Sequence, residues 1–161
     1  PLTLKALPVE EIGPETAQLA AEMIDAMETY DGVGLAAPQI GIARRMVVLR
    51  EPGSPNAMCL INPEITERDG NEMAEEGCLS LPSVYAEVPR STRIRVRALN
   101  EHGKQRTFEA EGFLARIIQH EVDHLDGILF IDRLDIMTRE AKLREWQDAR
   151  EDLGSMPIDQ S

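Results

Sequence analysis

Six residues, Gln119-His120-Glu121-Val122-Asp123-His124, constrain this chain more than any other segment. Two imidazoles stand four residues apart with a carboxylate between them. A helix gives that spacing a use, because positions i and i+4 lie on one face, one turn apart. Two ring nitrogens can then reach one metal ion at about 2.0–2.1 Å. Glu121 projects about 100° round the helix from His120, so it can face a water on that metal without ligating it. The chain has 3 histidines, and two of them are committed to this one turn. A solvated helix can carry the same pair with no ligand. The metal reading therefore requires a third ligand and an oxyanion site from elsewhere in the chain.

The surroundings of the pair predict a buried helix from Gly112 to about Gly127. Leu114, Ile117, Ile118 and Leu125 make it apolar beyond one narrow stripe. A first helix is predicted to open at Gly13-Pro14, where proline suits the first helical position. Its buried stripe is Leu19, Ala20, Met23, Ile24, Met27 and Tyr30, and Asp31-Gly32 closes it. A charged last helix is predicted over Thr138–Leu153, with Leu143, Trp146 and Ala149 as its contact face. Between these lie strand signals: Met46–Leu49, Ala57–Asn62 stopped by Pro63, Ala86–Pro89, Thr92–Leu99 and Thr107–Ala110. In Thr92–Leu99, Ile94, Val96 and Ala98 alternate with Arg93, Arg95 and Arg97, the pattern of a half-buried strand with a solvated basic face. The fold class predicted is α+β. Short antiparallel sheets wrap around a central metal-binding helix, with an N-terminal and a C-terminal helix outside.

At 161 residues the chain fits a single domain spanning 1–161, with 154–161 a frayed tail. A net charge of -12 argues against nucleic acid and against an anionic membrane surface as partners. Two cysteines, Cys59 and Cys78, suit thiols in a reducing cytoplasm better than a disulfide framework. No apolar run is long enough to span a membrane.

Two candidates compete for the third ligand. Cys78 lies in a Gly-Cys-Leu-Ser turn where Gly77 permits close backbone approach, and coordination would deprotonate its thiol. Alternatively, a downstream carboxylate such as Glu140 or Glu145 would make a small metallopeptidase. The segment Gly32–Gly41 lacks a phosphate-binding pattern, and the polar Gln39 among small apolar residues is its odd element.

Taken together, these segments resemble the bacterial-type peptide deformylases. That family's Gly-x-Gly-Leu-Ala-Ala-x-Gln stands here as Gly32–Gln39, its Glu-Gly-Cys-x-Ser as Glu76–Ser80, and its Gln-His-Glu-x-Asp-His as Gln119–His124. The likeness runs from about Val9 through Leu134. The resemblance implies that Cys78, His120 and His124 bind one divalent metal, with Fe²⁺ the native ion and Zn²⁺, Ni²⁺ or Co²⁺ as substitutes. It implies Glu121 as general acid/base, and the Gln39 side-chain amide and Leu79 backbone N–H as the oxyanion hole. It further implies a monomeric cytoplasmic hydrolase acting on N-formyl-methionyl peptides and nascent chains, and a transient ribosome contact that, on so acidic a chain, would have to use a local basic patch. Gly32, Val33, Gly34, Gly77, Phe113 and Ile117 would contact the substrate. A catalytically silent formyl-peptide binder is the alternative, and intact Glu121, Gln39 and Cys78 argue against it. Arg90 matches a family arginine, with two readings open: a structural ion pair with Glu76 or Asp123, or an exposed role. Arg116, one turn before His120, is expected near the pocket rim, where it would tune the residue after methionine.

Overall fold

The computed structural model describes residues 5–29, 32–78 and 81–128. Helix α1 is Pro14–Thr29 and helix α2 is Gly112–Leu125. The strands are β1 Gly34–Ala36, β2 Met46–Leu49, β3 Met58–Asp69, β4 Glu72–Cys78, β5 Leu81–Arg90, β6 Arg93–Leu99 and β7 Gln105–Glu111. A 3-10 turn, Ala37–Ile40, follows β1 directly. Five strands form an antiparallel sheet in the order β1-β2-β3-β6-β7, and β4 pairs with β5 in a separate hairpin. The α+β class read from the sequence is the observed one. The helix predicted over 138–153 lies outside the described residues, as does Tyr30 of the first stripe.

Strand β2 explains how the layers stack. All four of its residues are buried, although successive side chains in a strand point to opposite faces. Val47 and Leu49 join Leu60, Ile94, Val96, Ile118 and Val122 in one cluster, against α2. Met46 and Val48 join Cys59, Ile61, Ala20, Met23 and Met27 in another, against α1. The apolar run Met46-Val47-Val48-Leu49 is continuous because a helix covers each face of the sheet there. Farther along, β6 buries Ile94, Val96 and Ala98 and exposes Arg93, Arg95 and Arg97, as its alternation requires. Those arginines pair with Asp69, Glu67, Glu109 and Glu64 on the flanking strands, so they form a solvated ion-pair face.

Two expectations are corrected. Pro63 does not stop β3, which runs on to Asp69. The register against β6 shifts between Ile61 and Glu64, and Asn62 takes a left-handed φ of 52°. A bulge leaves a residue outside the ladder, which is where a strand tolerates proline's missing N–H. The strand β4 carried no apolar alternation, and its acidic residues gave no strand signal. Pairing with β5 supplies its order.

The far end of α2 is anchored. The Leu125 carbonyl, which has no partner within the helix, accepts from Ala6 N–H at 2.7 Å and from the Arg45 guanidinium at 3.2 Å. Arg45 also pairs with Asp126 at 3.0 Å. The helix is thus fixed lengthwise, and the direction of its histidine face is set.

Candidate metal centre

Helix α2 delivers His120, Glu121 and His124 as expected, and their ligand-capable atoms all lie within 4.8 Å of one another. The two imidazoles meet edge-on, with ring centroids 4.9 Å apart and planes at 76°. His124 is 1 % exposed and Glu121 5 %, while His120 is partly buried. The rings therefore converge on the inner side of the helix.

Strand β4 adds the residue that orients the cluster. Each carboxylate offers about four lone-pair sites, and at Glu76 four donors fill them. Arg90 binds it with a fork: Nη2 to Oε1 at 2.9 Å and Nε to Oε2 at 3.0 Å. The Arg116 guanidinium donates to Oε2, and His120 Nδ1 lies 2.8 Å from Oε1. Burial alone would raise the Glu76 carboxyl. Hydrogen bonds from His120 and Arg90 outweigh that and hold it down at about 2. An ionised carboxylate only accepts, so Nδ1 is the His120 nitrogen that donates to it, and in the neutral ring Nε2 is the nitrogen left with a lone pair for a metal. That is how metal-binding histidines are commonly held. One buried and one partly buried imidazole, the latter oriented by Glu76, beside a buried carboxylate suit a divalent metal.

Arg90 is 5 % exposed and pairs with both Glu76 and Asp123, which is the ion-pair reading. Arg116 departs from expectation. It is buried rather than at a rim, bonded to Glu76, to Val88 O at 2.9 Å and to Glu72 O at 2.6 Å. Gln119 forms a further clamp, accepting from Ser91 N–H at 2.9 Å and donating to Ser91 O at 2.8 Å.

Strand β1 and the 3-10 turn close the other side. Gln39 is buried, and its Oε1 accepts the Ala36 N–H at 2.8 Å. That bond fixes the amide plane and turns its NH₂, the donor an oxyanion needs, to the opposite edge. A Cβ on Gly34 would stand 2.8 Å from Glu121 Oε2 and 3.0 Å from Ile117 Cγ2. Glycine is required there because β1 lies directly on the Glu121 side chain. Gly32 lies nearer Met27, whose carbonyl would be 3.5 Å from a Cβ. Of the expected apolar contacts, Ile117 is buried, whereas Val33 is 38 % and Phe113 52 % exposed. Gly77 and Cys78 end β4, two residues on from Glu76, with a register irregularity between them. The Cys78 side chain, Leu79, Glu140 and Glu145 fall outside the described residues. A cavity of about 510 Å³ beside α1, bordered by Leu7, Val9, Thr16 and Leu19, includes none of these groups.

A family model described as polypeptide deformylase matches residues 1–140. A peptide deformylase of Desulforudis audaxviator is 50% identical over 130 residues, covering 80% of this chain and 84% of that protein. The crystal structure of a peptide deformylase from Legionella pneumophila superposes with a TM-score of 0.89 at 37% identity, covering 97% of this chain and 93% of that one. A class I type b peptide deformylase from Acinetobacter baumannii, solved with Met-Ala-Ser bound, gives a TM-score of 0.79 at 39% identity, covering 83% of this chain and 91% of that one.

Proposed function

This chain belongs to the polypeptide deformylase family and hydrolyses the N-formyl group from N-terminal formyl-methionine, releasing formate, and we propose that the residues around His120 and Glu121 carry that activity. The observation that carries the assignment is the buried convergence of His120, Glu121 and His124 within 4.8 Å, with Gly34 laid against Glu121.

In this reading Cys78, His120 and His124 hold one divalent metal, Fe²⁺ natively, and Glu121 is left for proton transfer. When bound, the metal supplies a Lewis acid that brings the pKa of a water toward neutrality. Glu121 would accept the proton of the attacking water as the formyl carbon is attacked. The Gln39 NH₂ and the Leu79 backbone N–H donate to the oxygen that becomes negative. Removing one donor of this kind typically costs about 10²–10³ in rate. Glu121 then returns its proton to the departing amine, leaving formate and a free N-terminus.

The formyl-methionyl peptide docks in extended form along β1, an edge strand, with backbone groups near Gly32 and Gly34 as partners. Ile117, which is buried, would supply the apolar wall of the methionine pocket, with Val33, Phe113 and Gly77 as its further contacts. The Met-Ala-Ser bound by the Acinetobacter baumannii structure is the peptide that deformylation of formyl-Met-Ala-Ser leaves, which supports this substrate class. The protein works as a monomer in the cytoplasm. No helix among the described residues is long and apolar enough to cross a membrane.

The test is formate release from formyl-Met-Ala-Ser by protein loaded anaerobically with Fe²⁺, beside Glu121→Ala. The variant is expected to keep its metal and lose at least about 10³-fold in kcat. A variant that turns over like the parent would remove Glu121 from the mechanism.

A further inference from the structure

We propose that Arg116 is a positioning residue of the metal centre, fixing Glu76 and the strand that carries it against the helix that carries the histidines. The inference rests on the reading of Cys78, His120 and His124 as the ligands. It concerns how they are held apart at working distance.

Arg116 and His120 are four residues apart on α2, so both rise from one face and reach the same carboxylate. Arg116 takes Glu76 Oε2 and His120 takes Oε1. Without Arg116, Glu76 keeps the Arg90 fork and His120 but loses a donor on Oε2, so the carboxylate is held less firmly where it meets the imidazole. The other two bonds of Arg116 run to backbone carbonyls, Glu72 O on β4 and Val88 O on β5. A guanidinium is suited to this because its donors diverge in one rigid plane, whereas an ammonium offers a single point of charge. One side chain thus ties both strands of the β4-β5 hairpin to α2. Among the described residues that hairpin is a sheet of its own, joined to the five-stranded one through its chain connections to β3 and β6, so its position against α2 draws on contacts of this kind. Cys78 stands at the end of the same strand, two residues beyond Glu76. Arg116 therefore sets both the angle of the His120 ring and the separation between the proposed thiolate and the imidazoles.

The experiment measures Co²⁺ affinity by competition with a chromophoric chelator for the parent chain, Arg116→Met, Arg116→Lys, Arg45→Met and His120→Ala. Loss of an outer partner of a ligating histidine typically weakens metal binding by about 10–100-fold. Arg116→Met is expected in that range, and Arg116→Lys between it and the parent. Arg45→Met loosens the opposite end of the same helix, so it lowers stability while leaving affinity within about twofold of the parent. The KM for formyl-Met-Ala-Ser and the ranking of peptides differing after methionine should not change in either Arg116 variant. The proposal is overturned if a natively folded Arg116 variant binds Co²⁺ within twofold of the parent. It is equally overturned if the peptide ranking changes at unaltered affinity, which would make Arg116 a specificity residue. Should Arg116→Met fail to regain the parent's circular dichroism, Arg116→Lys decides. If the parent binds no tighter than His120→Ala, the ligand assignment itself fails, an outcome distinct from the others.

Discussion

Gly34 shows how closely the site is built. The space for its absent Cβ is already taken by the Glu121 carboxylate and by Ile117. Gly34→Ala is expected to displace Glu121 before it displaces the β1 backbone, since the side chain is the softer of the two. Over-packing of this kind costs about 1–3 kcal/mol in stability. The larger effect should be on kcat, which is expected to fall at least about tenfold because a proton-transfer group must stay within hydrogen-bond reach. Steady-state formate release and a thermal melt separate the two. A variant with unchanged kcat would mean that Glu121 tolerates the shift. At this scale the sequence was readable wherever the information is local. His120 and His124 announce themselves by spacing within one turn, and Gln39 by being polar among small apolar neighbours. Arg116 was not readable, because its partners Glu76, Glu72 and Val88 are 40, 44 and 28 residues away. Its neighbourhood in the sequence is apolar and suggested nothing of them.

Asn62 joins three elements at one point. Its Nδ2 donates to Val9 O at 2.9 Å and its Oδ1 accepts from Val9 N–H at 2.8 Å, holding the N-terminal segment against β3. Its own N–H donates to Arg45 O at 2.8 Å, next to β2. It does this in a left-handed conformation that asparagine tolerates better than most residues. Asn62→Ala loses both side-chain bonds and strains the backbone, and is expected to cost about 1–3 kcal/mol by chemical denaturation. Asn62→Gly relieves the strain but not the lost bonds, so it should fall between the two. If Asn62→Ala matched the parent, the Val9 contact would contribute nothing to stability. The same position explains why the strand was read too short. Pro63 is a strand breaker by composition, and only the paired strand reveals that it sits in a bulge. In the same way β4 becomes visible only through β5, because it has no apolar alternation: Glu72 and Glu75 are exposed, and the residue that turns inward is the charged Glu76. The alternating strand β6 and both described helices have covered faces, so their periodicity was legible unaided.

Across the whole molecule, stability at alkaline pH is tied to Cys59, buried in the cluster against α1. Burial and, second, the charge of Glu101 push its thiol up to about 12. In the unfolded chain a cysteine titrates near about 8.5. Below that pH both states carry the thiol and nothing is at stake. As pH rises above it, the unfolded chain ionises while the folded one keeps its proton, so the unfolded state gains and stability falls. The loss amounts to about 1.4 kcal/mol for each pH unit between the two values. The urea midpoint of the parent should therefore drop more steeply between pH 8.5 and 10.5 than that of Cys59→Ala. Parallel curves would show that another group governs the alkaline limit.

The cage around Glu76 has a consequence for anyone wishing to move this chemistry elsewhere. It draws its parts from β4, β5 and α2, with Glu76 and His120 44 positions apart in the sequence and Arg90 and Asp123 33 positions apart. A peptide copying Gly112–Leu125 would carry both imidazoles, the carboxylate between them and Arg116, yet neither Glu76 nor Arg90, so Arg116 would have no carboxylate through which to aim the His120 ring. Grafted onto a foreign helix, the motif would transfer donors without their orientation. The transplantable unit is the helix together with its hairpin.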